Sequence, residues 1–131
     1  MGIKRIYTSY FNHIYNHLEL LEDCFSIARF NPSWYTGEVI FELRPSTNLL
    51  YAYKTGAVTD TVYTYQYNQM LNELNREEIL SKIPDGSILL CYELPGRFCH
   101  RHLAADWFNG SGLVNVKELD YINESYIRER S

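Results

Sequence analysis

The chain reads as an α/β sandwich, a mostly parallel, Rossmann-like sheet of about four to five strands flanked by helices. Three observations predict it. Short apolar or period-two runs recur along the chain, helical patterns fall between them, and no repeat, linker or low-complexity tract interrupts the alternation. One domain over residues 1–131 follows from the length, with a polar tail over 123–131.

The strands are expected at Lys4–Tyr10 (KRIYTSY), Cys24–Phe30 (CFSIARF), Ser87–Glu93 (SILLCYE) and Leu113–Leu119 (LVNVKEL). A short helix covers His13–Leu21. A weaker one runs through Glu38–Tyr53 with a break at Pro45, where Ser46 is placed to cap a new start. The strongest helical stripe is Asp60–Leu74, with Asp60 as N-cap and Val62, Tyr63, Tyr67, Met70, Leu71 and Leu74 on one side. Pro84-Asp85-Gly86 is a turn before the third strand. His100–Phe108 closes the set, and its spacing predicts that Leu103 and Trp107 share the buried face.

Composition narrows the function classes. A net charge of −4 excludes a general coat for extended nucleic acid, because such binding rests on summed phosphate neutralisation. A local basic pocket for a small anion is compatible with it. No apolar run is long enough to span a bilayer and no signal-peptide core follows the start, so no membrane partner is expected. Three cysteines, an odd number, read as free thiols in a reducing cytoplasm.

Chemistry is concentrated in "LLCYELPGRFCHRHLAADWF", Leu89 to Phe108. Cys99 follows a Pro-Gly turn and opens a helix, where unpaired N–H groups and the neighbours Arg97, His100 and Arg101 favour a thiolate. The plainer alternative is a buried cysteine that fills space. Cys91 ends an apolar strand, and packing is its first role. If it reaches Cys99 the two can form a reversible disulfide, although their separation of eight residues is not the CxxC redox spacing. Glu93, at the strand exit, has the chemistry of a general acid or base or of a holder for a substrate hydroxyl. Arg101 stands in the first turn of a helix against the dipole, which points to an anionic partner, either a ligand or Glu93 or Asp106. Arg29, followed by Trp34 in a proline-bearing loop, pairs a cation with an aromatic ring, as planar anions require.

Several familiar chemistries are excluded by spacing. Cys99 and Arg101 are separated by one residue, too few for the phosphate-wrapping loop of cysteine phosphatases. Neither GxGxxG nor GxxxxGKS/T is present, so no cofactor is expected. The pattern Cys-x7-Cys-His-x-His fits no standard zinc spacing, and no metal is expected.

"LLCYELPGRFCHRHLAADW", with "SIARFNPSWYTG" upstream and "YTSYF" near the start, resembles the domain-of-unknown-function 488 family, small proteins of bacteria, archaea and their phages. The likeness runs from about Ile6 to about Leu119. It implies an α/β fold and a polar pocket drawn from Ser9, Arg29, Pro32, Trp34, Cys91, Glu93, Cys99, His100 and Arg101. "ELRPSTNLL" departs from the family pattern and makes Arg44 an added charge. No reaction is implied. The residues therefore leave three functions open. One is an enzyme acting on a nucleotide, nucleoside or nucleic-acid end, with Cys99, Glu93 and Cys91 as its chemistry and Ser9, Arg29, Trp34, His100 and Arg101 as its ligand contacts. The second is a non-catalytic module that binds a ligand or a host factor. The third is a thiol redox switch.

Overall fold

The computed structural model describes residues 3–94 and 96–119, so the predicted polar tail lies outside the described residues. Among the described residues, five strands, all parallel, form one sheet in the order β3-β2-β4-β1-β5. They are β1 (Lys4–Tyr10), β2 (Cys24–Ser26), β3 (Glu38–Val39), β4 (Ser87–Cys91) and β5 (Val114–Glu118). β1 and β4 pair from Ile6 opposite Ser87 to Tyr10 opposite Cys91. On its other side β1 pairs with β5, from Lys4 opposite Val114 to Thr8 opposite Glu118.

Because helices cover both faces of the sheet, its middle strands carry buried residues without alternation, and all five residues of β4 are buried. Side chains alternate between two cores. Tyr7, Cys24, Ile88 and Leu90 pack with Phe11 and Ile14 of α1 (Phe11–Tyr15) and with Leu20 of the 3₁₀ turn after it. Ile6, Leu89, Val114 and Val116 face the larger core, which is roofed by α3 (Asp60–Asn72), α4 (Arg76–Ser81) and α5 (His100–Asn109). Leu49 of α2 (Thr47–Lys54) joins the same cluster.

The differences from the sequence reading have local causes. The second strand stops at Ser26 rather than Phe30, because the Ser26 hydroxyl bonds Asn31 Oδ1 and accepts from the Ala28 N–H, turning the chain away from the ladder. The weak helix at Glu38–Tyr53 is instead β3, a 3₁₀ turn at Phe41–Leu43 and then α2. Its predicted restart holds: Ser46 accepts from the Leu49 N–H as N-cap. At α3 the cap is Thr59, one residue early, and Asp60 takes the first turn, where a negative charge suits the dipole. α4 was not anticipated, although Asn75 caps it through the Glu78 N–H. In α5 the buried face is His100, Arg101, Ala104, Ala105 and Phe108. Leu103 and Trp107 are only partly buried, and the Arg76 guanidinium stands 5.8 Å from the Trp107 ring centre. Among the described residues, no helix is long and apolar enough to cross a membrane.

The strand order places one crevice. From β2 the chain runs outward to β3, whereas from its neighbour β4 it runs the opposite way, across β1 to β5. Adjacent strands whose continuations diverge leave a gap beyond their carboxyl ends, which is where open α/β sheets hold ligands.

Candidate functional site

A cavity of about 450 Å³ occupies that gap. The β2 exit supplies Ala28, Arg29 and Phe30 to it, and the β4 exit supplies Cys91, Tyr92 and Glu93. The start of α5 adds Phe98, Cys99 and His100. The remaining wall is α2, whose Leu50, Tyr53 and Lys54 fall at i, i+3 and i+4 and so share one face.

Three rings close one side. Tyr53, Tyr63 and Phe98 lie with centroids 5.2–5.3 Å from one another, tilted or edge-on, as aromatic groups prefer. Tyr53 is held in place by its hydroxyl, which donates to Asp60 Oδ1 at 2.6 Å.

The cations at the rim are under-neutralised. Arg29 Nε–H donates to the Pro45 carbonyl at 3.0 Å, which orients the guanidinium. Among the described residues its two terminal nitrogens have no hydrogen-bond partner, and neither does the Lys54 ammonium. Arg44 lies close enough for Arg29 to disfavour its charged form: its pKa is lowered, first by burial and second by the charge of Arg29. Arg29 and Lys54 thus line the cavity without an ion-pair partner among the described residues, and the Glu93 carboxylate shares the same lining.

The floor is sulfur and imidazole. Cys91 and Cys99 are joined by a disulfide, with Cα atoms 7.6 Å apart, which corrects the expectation of three free thiols. Cys24 lies outside the disulfide, buried, and its thiol donates to the Leu20 carbonyl at 3.3 Å. His100 Nε2 lies 2.7 Å from the Ile27 carbonyl oxygen. A carbonyl only accepts, so Nε2 carries the proton and the neutral ring turns its Nδ1 lone pair toward Cys99 Sγ, 3.9 Å away. Burial pushes His100 down to about 4, outweighing the bond to Ile27, which acts the other way. The ring is therefore neutral near pH 7.

The sequence-predicted residues divide between cavity and frame. Arg29, Cys91, Glu93, Cys99 and His100 come together at the cavity. Ser9, Trp34 and Arg101 do not line it. Ser9 is fully buried and bonds His13 Nδ1 at 2.8 Å. Trp34 packs against the smaller core, edge-on to Phe11 at 6.2 Å and tilted against Tyr15 at 5.2 Å. Arg101 is fully buried and makes a forked pair with Glu118, Nε to Oε1 at 3.1 Å and Nη2 to Oε2 at 2.8 Å. Its Nη1 donates to the Glu93 carbonyl and to Cys91 Sγ. The predicted anionic partner therefore exists, but it is Glu118 on β5 rather than a ligand, Asp106 or the Glu93 carboxylate.

Sequence reading missed Lys54, Tyr53 and Tyr63. The i, i+3, i+4 spacing on α2 was a usable signal for the first two, hidden because the predicted helix ended at Tyr53, one residue short of Lys54. Fold and site together define a small α/β protein with a ring-walled pocket over a cysteine pair. No family model, no curated protein and no solved structure matches the chain.

Proposed function

We propose that the cavity receives a small anionic ligand carrying a planar ring, a nucleotide or nucleotide-like molecule, and that the cysteine pair at its floor supplies any chemistry done there. The observation that carries this reading is the pairing of two unneutralised cations, Arg29 and Lys54, with the ring triangle of Tyr53, Tyr63 and Phe98 around one cavity. Forked guanidinium donors match phosphate or carboxylate oxygens, and rings accept bases by stacking whatever the base. Exposed Glu93, on the same wall, suits a sugar hydroxyl. The clamp is thus Arg29 with Lys54, in place of the Arg29–Arg101 pair expected from sequence. A volume of about 450 Å³ lies within the range of small-molecule sites.

The test is calorimetric titration of nucleoside 5′-phosphates, with inorganic phosphate and the bare nucleoside as separate arms. Charge-assisted hydrogen bonds contribute about 1.5–3 kcal/mol, so Arg29→Gln is expected to weaken nucleotide binding roughly 10- to 100-fold. Equal binding by wild type and Arg29→Gln, or no binding of any phosphate, removes the reading. A second reading, a thiol switch, is favoured by the bond between Cys91 and Cys99. It is tested by redox titration followed by mass-spectrometric counting of free thiols.

A further inference from the structure

We infer that in its reduced form the cavity floor is a zinc site, with Cys91 Sγ, Cys99 Sγ and His100 Nδ1 as three ligands and the fourth position open to the cavity. The inference does not depend on the identity of the pocket's ligand.

Four observations of different kinds support it. The three ligand atoms lie within 4.8 Å of one another, the one such group of His, Cys, Asp or Glu found among the described residues. Two soft thiolates with an imidazole form the donor set that Zn²⁺ takes, with three protein ligands where a position is left free. The imidazole is oriented as zinc-bound histidines are: one ring nitrogen donates to a backbone carbonyl, here Ile27, and leaves the other as a lone pair on the sulfur side. Arg101 Nη1 donates to Cys91 Sγ at 3.0 Å, the kind of N–H···S bond that supports a metal-bound thiolate. Finally, the backbone spacing suits a shared ion. The Cα atoms of Cys91 and Cys99 are 7.6 Å apart, beyond the roughly 4.4–6.8 Å that disulfides ordinarily span. Two sulfurs bound tetrahedrally to zinc, each at about 2.3 Å, stand about 3.8 Å from each other and fit a wider backbone separation.

The spacing rule failed to find this site because it looked for repeated CxxC or HxxxH units. Here Cys91 leaves a strand while Cys99 and His100 begin a helix, and the pairing of β2 with β4 brings Ile27 behind the ring. His102 is not in the cluster.

The conversion balances simply. A phosphine gives two electrons to the disulfide and, with one water that supplies its oxygen and the two protons, leaves as the phosphine oxide while two thiols form. Binding of one Zn²⁺ returns those two protons to solvent. The oxidised and metal-bound forms therefore exclude each other.

The experiment uses the whole chain, reduced with a phosphine, freed of metal by a chelator and titrated with Co²⁺ as a coloured stand-in for zinc. A thiolate-to-cobalt charge-transfer band should grow to one equivalent and vanish when Zn²⁺ is added. Cys99→Ser and Cys91→Ser should each lose it, and Cys24→Ser should keep it. His100→Gln should shift the visible bands and weaken binding at least tenfold; if that variant fails to fold, Cys99→Ser decides. A reduced, folded wild type without the band overturns the proposal, and so does a band that survives Cys99→Ser. A disulfide that cannot be reduced without unfolding overturns it as well.

Discussion

Arg101 shows how much one side chain can hold. Its guanidinium is out of contact with water, yet its donors reach the Glu118 carboxylate, the Glu93 carbonyl and the Cys91 sulfur. Removing one partner of a buried pair leaves the other charge without compensation, at about 3–5 kcal/mol. Glu118 retains 26% side-chain exposure, so Arg101→Ala is expected near the lower end, about 3 kcal/mol, in urea unfolding. Arg101→Lys should recover little of this, since an ammonium cannot make the forked contact. The sequence left the anionic partner open between a ligand, Glu93 and Asp106, and only the fold brings Glu118 to the guanidinium. The contrast within α5 is similar. Phe108 is fully buried, and its replacement by alanine should cost about 3–5 kcal/mol. Trp107→Ala, at a half-covered position, should cost less than Phe108→Ala in the same denaturation series.

Elements were legible where a local signal decided them, and obscure where a distant partner did. β1 matches its predicted bounds, Lys4–Tyr10, because a parallel central strand needs only an uninterrupted run of residues that tolerate burial. α2 begins where Pro45 and Ser46 said it would. Ser46→Ala should cost about 1 kcal/mol, read from the denaturation midpoint, by releasing the Leu49 N–H. That β3 is a strand at all depends on Phe25 and Ser26 lying beside Glu38 and Val39, which a two-residue segment cannot announce. α3 was legible from its own stripe, and packing decides only where it is anchored. Tyr67 is buried and its hydroxyl donates to the Leu43 carbonyl at 2.6 Å, tying the helix to the 3₁₀ turn before α2. Tyr67→Phe leaves that carbonyl unpaired, and a loss of about 1–3 kcal/mol is expected. Half of the pocket was readable from the exits of β2 and β4. The other half was not, because Lys54 and Tyr63 sit on helices whose approach only the tertiary fold sets.

The molecule as a whole carries three imidazoles that burial keeps neutral: His13, His100 and His102 each have a lowered pKa, with desolvation as the first cause. Each binds its proton less readily folded than unfolded. Their contribution to stability is thus complete above the unfolded value of 6.5 and fades as pH falls toward about 4, where His100 titrates in the fold. Urea midpoints of the disulfide form should fall from pH 7 to pH 4; a flat profile would contradict the neutral, buried assignment. The strand order has a further bearing, on synthesis. β1 leaves the ribosome first but completes its ladder only when β4 and then β5 arrive, more than a hundred residues later in the second case. Glu118, which neutralises Arg101 beneath the pocket, is the last residue of β5. A nascent chain stalled before Val114 would hold a bare strand edge and an uncompensated cation in its interior. Closure of that strand edge and neutralisation of Arg101 therefore both wait on one segment, Val114–Glu118.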